Sequence, residues 1–182
     1  DQAPQAPYPA PMLCVLRAFQ ALKTDDHSLG FRAAPLVLSG LSAGGNLATA
    51  ALLAPLLPQH APVELDDVPP LMPDGLLLLC PVLNLCRSPS PSRVLFASDV
   101  LLPHPLLKAF AHAYDQGKDH WVVRDPLLSP VFASDEVLAQ LPPTTILSGG
   151  LDPLLDDSVD FNTRIRRMGV AGEIRIYRSL PH

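Results

Sequence analysis

Short apolar runs alternate along this chain with segments of helical spacing, and that alternation limits the fold more than any other feature. Residues 35–39 (PLVLS) and 75–80 (GLLLLC) are continuous apolar runs closed by Gly40 and Pro81. Residues 144–147 (TTIL) and 173–177 (EIRIY) are two further runs, the last alternating apolar with polar. Runs this short, bounded by glycine or proline, read as strands. Between them, residues 43–53 are rich in Ala and Leu and end before Pro55 and Pro58, which favours a helix with a defined stop. Residues 153–168 read as a helix whose Arg164, Arg166 and Arg167 suit the negative C-terminal end of its dipole and read as a solvated helix end. Apolar residues at 12, 13, 15, 16, 19 and 22, and again at 106, 107, 110, 111 and 114, predict helices over 12–23 and 105–114. Strands separated by helices imply an α/β fold with a mostly parallel sheet flanked by helices.

Composition sets the remaining bounds. The 182 residues are 48% hydrophobic and 17% charged, a globular balance at a length that fits one domain. A net charge of −5 with no basic stripe argues against nucleic acid as a partner. Cys14, Cys80 and Cys86 form no CxxC pair and leave an odd cysteine, so neither a disulfide framework nor a zinc site is indicated and a reducing, cytoplasmic compartment is expected. His104, His112 and His120 are eight residues apart with no carboxylate or cysteine to complete a ligand set. His27 and His60 read as surface residues. The apolar runs are far shorter than the roughly 18–20 residues a membrane span needs. The Pro-rich start, residues 1–11, is an extended loop. The chain opens at Asp1 without a basic or apolar leader, and a fragment of a longer protein is expected. Residues 88–92 (SPSPS) read as a solvated turn that phosphorylation of Ser88, Ser90 or Ser92 could also use.

In open parallel sheets the functional residues sit beyond the carboxyl ends of the strands. After the first run comes Gly40-Leu41-Ser42-Ala43-Gly44-Gly45. Gly-x-Ser-x-Gly between strand and helix is the pattern of a nucleophile elbow, in which glycine at both flanks permits a turn tight enough to thrust the serine out. The alternative is a Gly-rich packing turn with Ser42 as a helix N-cap. After the third run comes Asp152, which by itself would serve as an N-cap before Pro153. After the fourth comes His182. The order Ser, Asp, His at successive strand ends is that of an α/β-hydrolase triad. In that reading Ser42 is the nucleophile, His182 the base that takes its proton, Asp152 the acid that orients the base, and the Ala43 N–H an oxyanion donor at the elbow of Gly40, Gly44 and Gly45. No metal or organic cofactor is called for.

These residues make the chain resemble the hormone-sensitive-lipase group of α/β-hydrolases. The likeness rests on APQAPYP at 3–9, SAGGNL at 42–47, DPLLSP at 125–130, LPP at 141–143, LDPLLDDSV at 151–159 and LPH at 180–182, with SPSR at 90–93 resembling hormone-sensitive lipases themselves. It implies an α/β-hydrolase fold over residues 1–182, with upstream strands missing and 84–125 as a cap-like connection. It also implies hydrolysis of acylglycerol, sterol, retinyl or smaller acyl esters, with lipid-surface or lipid-droplet association left open. Asp156 and Asp157 are expected to face solvent or tie down the helix start. The Leu106, Leu107 and Phe110 stripe belongs either to a cap over an acyl pocket or, more simply, to the core.

Several departures accompany the likeness. The family's His-Gly-Gly-Gly oxyanion loop has no counterpart in these residues, and the remaining donors are expected upstream. Loss of one such donor costs about 10²–10³ in rate, so this chain alone is expected to be nearly inactive. Leu41 stands where the family carries Asp or a similar residue, with an effect on tuning expected. The first strand is expected to leave an open edge at Leu36, Val37 and Leu38. With no chain after it, His182 is expected to be poorly held. The mammalian regulatory insertion, which falls near residues 117–125, is absent, so phosphorylation control like theirs is not implied. Rival readings are a small-ester carboxylesterase or deacetylase, a small-ligand binder like the plant gibberellin receptors, and an inactive fragment.

Overall fold

Four parallel strands, β1 (Val37–Leu41), β2 (Gly75–Leu79), β3 (Thr144–Gly149) and β4 (Gly172–Tyr177), lie side by side in chain order. The structure is a computed structural model that describes residues 3–24, 30–31, 34–60, 65, 68–85, 90–116 and 124–182. His27, Cys86, Ser88 and His120 fall outside the described residues. Helix α1 (Ala10–Lys23) precedes the sheet. Parallel neighbours need crossover connections, and these carry α2 (Ala43–Leu53) between β1 and β2, α3 (Pro91–Leu95), α4 (His104–Asp115) and α5 (Asp135–Leu138) between β2 and β3, and α6 (Leu155–Arg167) between β3 and β4. The expected α/β sheet flanked by helices is therefore present. No helix among the described residues is long and apolar enough to cross a membrane.

α2 packs on β1 and α1, while α6 packs on β3 and β4. Met12, Leu16 and Phe19 of α1 join Leu53 of α2, Leu76 and Leu78 of β2, Ile146 of β3, and Phe161 and Ile165 of α6 in one apolar core. α4 stands apart. Its Leu107 packs with Val82, Leu102 and Leu154 in a second, smaller cluster, while Leu106 and Phe110 are exposed. The simpler expectation, that this stripe packs on the main core, is corrected. β1 forms one edge of the sheet, and Val37 and Leu41 on it are 57% and 65% exposed.

The register brings the strand ends to one rim. Leu41, Leu79, Leu147 and Arg175 lie level, and β3 and β4 run two residues further, to the Gly149–Tyr177 pair. The segments that follow, at Ser42, Cys80, Gly150 and Arg178, therefore emerge along one rim of the sheet. The first strand runs two residues further than its apolar pattern, because Gly40 and Leu41 still pair with Leu78 and Leu79. Helix α6 starts later than expected, because the Asp152 carboxylate accepts the Leu154 N–H at 2.7 Å and holds a separate turn.

Candidate active site

Ser42 sits between β1 and α2 with φ 52 and ψ −115. This conformation is costly for a non-glycine residue and persists only where its surroundings fix it. Its N–H donates to the Leu79 carbonyl at 2.8 Å, while its own carbonyl accepts from Val82, Gly45 and Asn46 N–H groups. Gly40 is required by close approach, since a Cβ there would lie 2.2 Å from the Gly44 carbonyl oxygen. The second tight glycine is Gly45, whose Cβ would meet Pro81 at 2.8 Å. Gly44 has open space around its Cβ position, so the expectation that both flanks of the serine are too tight for a side chain is corrected. The crowding falls on positions 40 and 45.

Two further segments converge on that serine. After β3, Gly149 and Gly150 let the chain following β4 pass directly over them, because a Cβ at either would come within 2.7 Å of the Leu180 or Arg178 carbonyl. Backbone bonds from Gly150 to Tyr177 and from Leu151 to Leu180 fix the crossing. It brings His182 against Asp152, which is fully buried. His182 Nδ1 lies 3.0 and 3.1 Å from the two carboxylate oxygens of Asp152, and its Nε2 lies 2.9 Å from Ser42 Oγ. The structure thus brings together Ser42, Asp152 and His182. A hydroxyl, an imidazole and a carboxylate in this series can pass the hydroxyl proton to nitrogen and stabilise the resulting imidazolium.

His182, expected to be poorly held, has a partner on its main chain as well as on both ring nitrogens: its main-chain N–H donates to Asp99 Oδ2 at 3.1 Å. Ala43 opens α2, so its N–H is among the donors at a helix start with no partner inside the helix. It lines a cavity of about 580 Å³ together with Ser42, Gly44 and His182, and Leu47, Val82, Leu85, Leu102 and Leu107 make much of the rest apolar. That volume lies within the roughly 300–1,000 Å³ of small-molecule sites.

Cys80, the residue after β2, also reaches the carboxylate. Burial pushes its thiol up to about 11, against the Gly149 N–H it accepts, while the bond it donates to Asp152 raises it further. The sulfur, carboxylate and imidazole ligand atoms of Cys80, Asp152 and His182 lie within 4.8 Å of one another. They are the described residues that could hold a metal ion, but both imidazole nitrogens are already engaged by Asp152 and Ser42.

Supporting residues explain the other motifs. Asn46 donates to the Val82 and Leu128 carbonyls at 2.9 and 2.8 Å, and Ser129 Oγ accepts the Leu85 N–H at 2.9 Å. The DPLLSP segment therefore braces the loop after β2. Asp157 does not face solvent. It is 4% exposed, accepts the Leu83 and Asn84 N–H groups, and pairs with Arg93 at 3.0 Å. Asp156 accepts the Ser92 N–H at 2.7 Å. Ser92 is itself buried and donates to the Pro153 carbonyl at 2.9 Å, so the solvated-turn reading fails there. Pro91 starts the short helix α3 instead. Arg164 reaches the Val131 and Ala133 carbonyls and the Asp135 carboxylate rather than solvent alone.

Sequence reasoning missed Cys80, although the strand-end rule that found Asp152 points equally to it. Asp99 gave no local signal. Its partner lies 83 residues away and is met only through the fold.

Comparison with known proteins agrees with this architecture. The family profile described as alpha/beta hydrolase fold matches residues 1–182. An esterase of Acinetobacter venetianus is 32% identical over 178 residues, covering 98% of this chain and 52% of the relative. Hormone-sensitive lipase of Bos taurus is 44% identical over 61 residues, 34% of this chain and 8% of that protein. Among solved structures, a hormone-sensitive lipase from a metagenome library superposes with a TM-score of 0.78 at 32% identity, covering 99% of this chain and 55% of that one. Carboxyl esterase 2 from the fungus Tuber melanosporum gives a TM-score of 0.83 at 25% identity, covering 99% and 54%. The chain spans about half the length of the Acinetobacter esterase and of both solved structures. With the profile matching from end to end, the chain belongs to the alpha/beta-hydrolase-fold family, in its hormone-sensitive-lipase-like branch.

Proposed function

We propose that this protein is a serine hydrolase of carboxylic esters that works through an acyl-enzyme. The observation that carries the proposal is the unbroken series from Ser42 Oγ to His182 Nε2 at 2.9 Å and from His182 Nδ1 to Asp152 at 3.0 Å, opening on an apolar cavity. His182 takes the Ser42 proton as Oγ attacks the ester carbonyl, and buried Asp152 holds the imidazole and offsets its charge. The Ala43 N–H donates to the oxyanion. Collapse expels the alcohol, which takes the proton back from His182, and water then repeats the cycle to release the acid. Further oxyanion donors belong to the family's His-Gly-Gly-Gly loop, and each is worth about 10²–10³ in rate.

The substrates are acylglycerol, sterol or other carboxylic esters of lipid catabolism, with the acyl group against Leu102 and Leu107. The described residues within 84–125 act as a cap-like wall, supported by Leu102, Leu107 and Phe110 on the cavity. Exposed Leu95, Val100 and Leu101 suit contact with a lipid surface in the cytoplasm. The test is single-turnover reaction with p-nitrophenyl acetate, butyrate and octanoate, followed by mass spectrometry of the Ser42 peptide. An acyl mass on Ser42, absent from Ser42→Ala, is expected. Ester bound in the cavity but never cleaved would favour the small-ligand binder.

A further inference from the structure

Asp99 joins two parts of the site. It lies between α3 and α4 and is 8% exposed. Its own N–H donates to the Phe96 carbonyl at 3.0 Å, which anchors the residue to the turn after α3. Oδ1 accepts the Leu101 and Leu102 N–H groups at 2.8 and 2.7 Å, and Oδ2 accepts the His182 N–H at 3.1 Å. Leu101, Leu102 and His182 all line the cavity. Burial alone would raise this carboxyl, but the N–H donors of Leu102, His182 and Leu101 outweigh it and hold it below the ordinary carboxylate range. The buried group is therefore an anion at neutral pH, an acceptor on both oxygens.

The side chain of His182 is set by Asp152, but an imidazole ring can turn about its own backbone. Holding Nδ1 alone leaves open where Nε2 points. Fixing the main-chain N–H as well defines the ring from two ends. We infer that Asp99 is a positioning residue for the base: its Oδ2 clamps the His182 backbone so that Nε2 stays on Ser42 Oγ, while its Oδ1 ties the same carboxylate to the cavity wall. This rests on the ester-hydrolase reading for its consequence in rate, but not for its consequence in geometry.

Asp99→Asn separates the two duties. The amide oxygen can still accept from the turn at 101–102 as an Asx turn does, while the NH2 now meets the His182 N–H donor to donor. The readouts are the rate of Ser42 labelling by a fluorophosphonate, the melting temperature, and the far-downfield proton signal of the His182–Asp152 hydrogen bond. Asp99→Asn is expected to slow labelling about 10- to 100-fold, the scale of a misplacement near 1 Å. The expected companions are a broadened or lost imidazole signal and a melting temperature within a few degrees of the parent. Asp99→Ser, which also keeps a short acceptor for the turn, is expected to behave alike. Labelling at the parent rate with an unchanged signal overturns the clamp. So does a loss of labelling that only tracks a loss of the fold in both variants. A parent chain that is not labelled at all contradicts the hydrolase reading instead, and the imidazole signals of parent and variant still decide Asp99.

Discussion

His182 Nε2 lies 2.9 Å from Ser42 Oγ across 140 residues of chain. Ser42 is thrust out by its own elbow, but what it meets there is brought from the far end of the chain. The contact exists because the parallel strands β1 and β4 end on the same rim of the sheet, and because the chain after β4 folds back over Gly149 and Gly150.

Asp152 is the member of this series with no exposure, and it also holds the Leu154 N–H. Asp152→Asn keeps the shape but no longer fixes the tautomer of His182. Labelling of Ser42 is expected to fall about 10⁴-fold, with the fold intact by circular dichroism. A loss below tenfold would mean that the carboxylate does not act on the base.

Gly40→Ala should break the elbow. Its Cβ would meet backbone atoms of Gly44 and Gly45 at 2.2 to 2.6 Å, and backbone cannot move aside as a flexible side chain can. A melting temperature lowered by many degrees and loss of Ser42 labelling are expected. Gly44→Ala, with nothing within 4 Å, should melt close to the parent. Equal melting of the two variants would show that position 40 is not crowded.

The buried pair of Asp157 and Arg93 gives a pH-dependent test. Burial, the largest effect, pushes the Asp157 carboxyl up to about 6, against the Arg93 charge and the Asn84 and Leu83 N–H groups. The folded chain therefore holds this proton more tightly than the unfolded chain, where the value is about 3.9. The contribution is fully present below about pH 4 and is lost as pH rises through 6. Urea titrations should show the stability of the parent falling relative to Asp157→Asn between pH 4 and 7. Arg93→Ala leaves the acid unpaired and should cost about 3–5 kcal/mol at pH 8, and less at pH 5 where the acid is protonated. A cost independent of pH would contradict this assignment.

Cys80 offers a chemical probe of the same carboxylate. With its thiol raised to about 11 by burial, and by the bond to Asp152 over and above the Gly149 N–H, it is almost wholly protonated at pH 8, and only the thiolate alkylates. Iodoacetamide at that pH should modify exposed Cys14 long before Cys80, with the Cys80 rate climbing toward pH 11. Peptide mapping that finds Cys80 the faster of the two would overturn this environment.

Much of the fold was legible because its signals are local. The apolar runs ending at Gly40 and Pro81 read as short strands and are so, and residues 43–53 matched the observed helix Ala43–Leu53. The strand ends then pointed to Ser42, Asp152 and His182, and the fold brings these three together. What stayed hidden depends on long-range partners. Asp157 and Ser92 look like solvent-facing polar residues in a helix start and a Ser-Pro turn, and only their bonds across 61 to 74 residues of chain show them buried. The α4 stripe has helical spacing whichever body it packs on, so periodicity could not tell the cavity from the core. Likewise the elbow pattern predicted glycine at both flanks of the serine, while the crowding that decides it at 40 and 45 arises from the path of α2 and from Pro81.

The most direct test is fluorophosphonate labelling of the purified chain, with Ser42→Ala as control. The reagent records an activated serine in a single event and needs no turnover. The account predicts one phosphonyl group per chain, carried on the Ser42 peptide and absent from the control. A folded chain that stays unlabelled, or is labelled equally after Ser42→Ala, would contradict it.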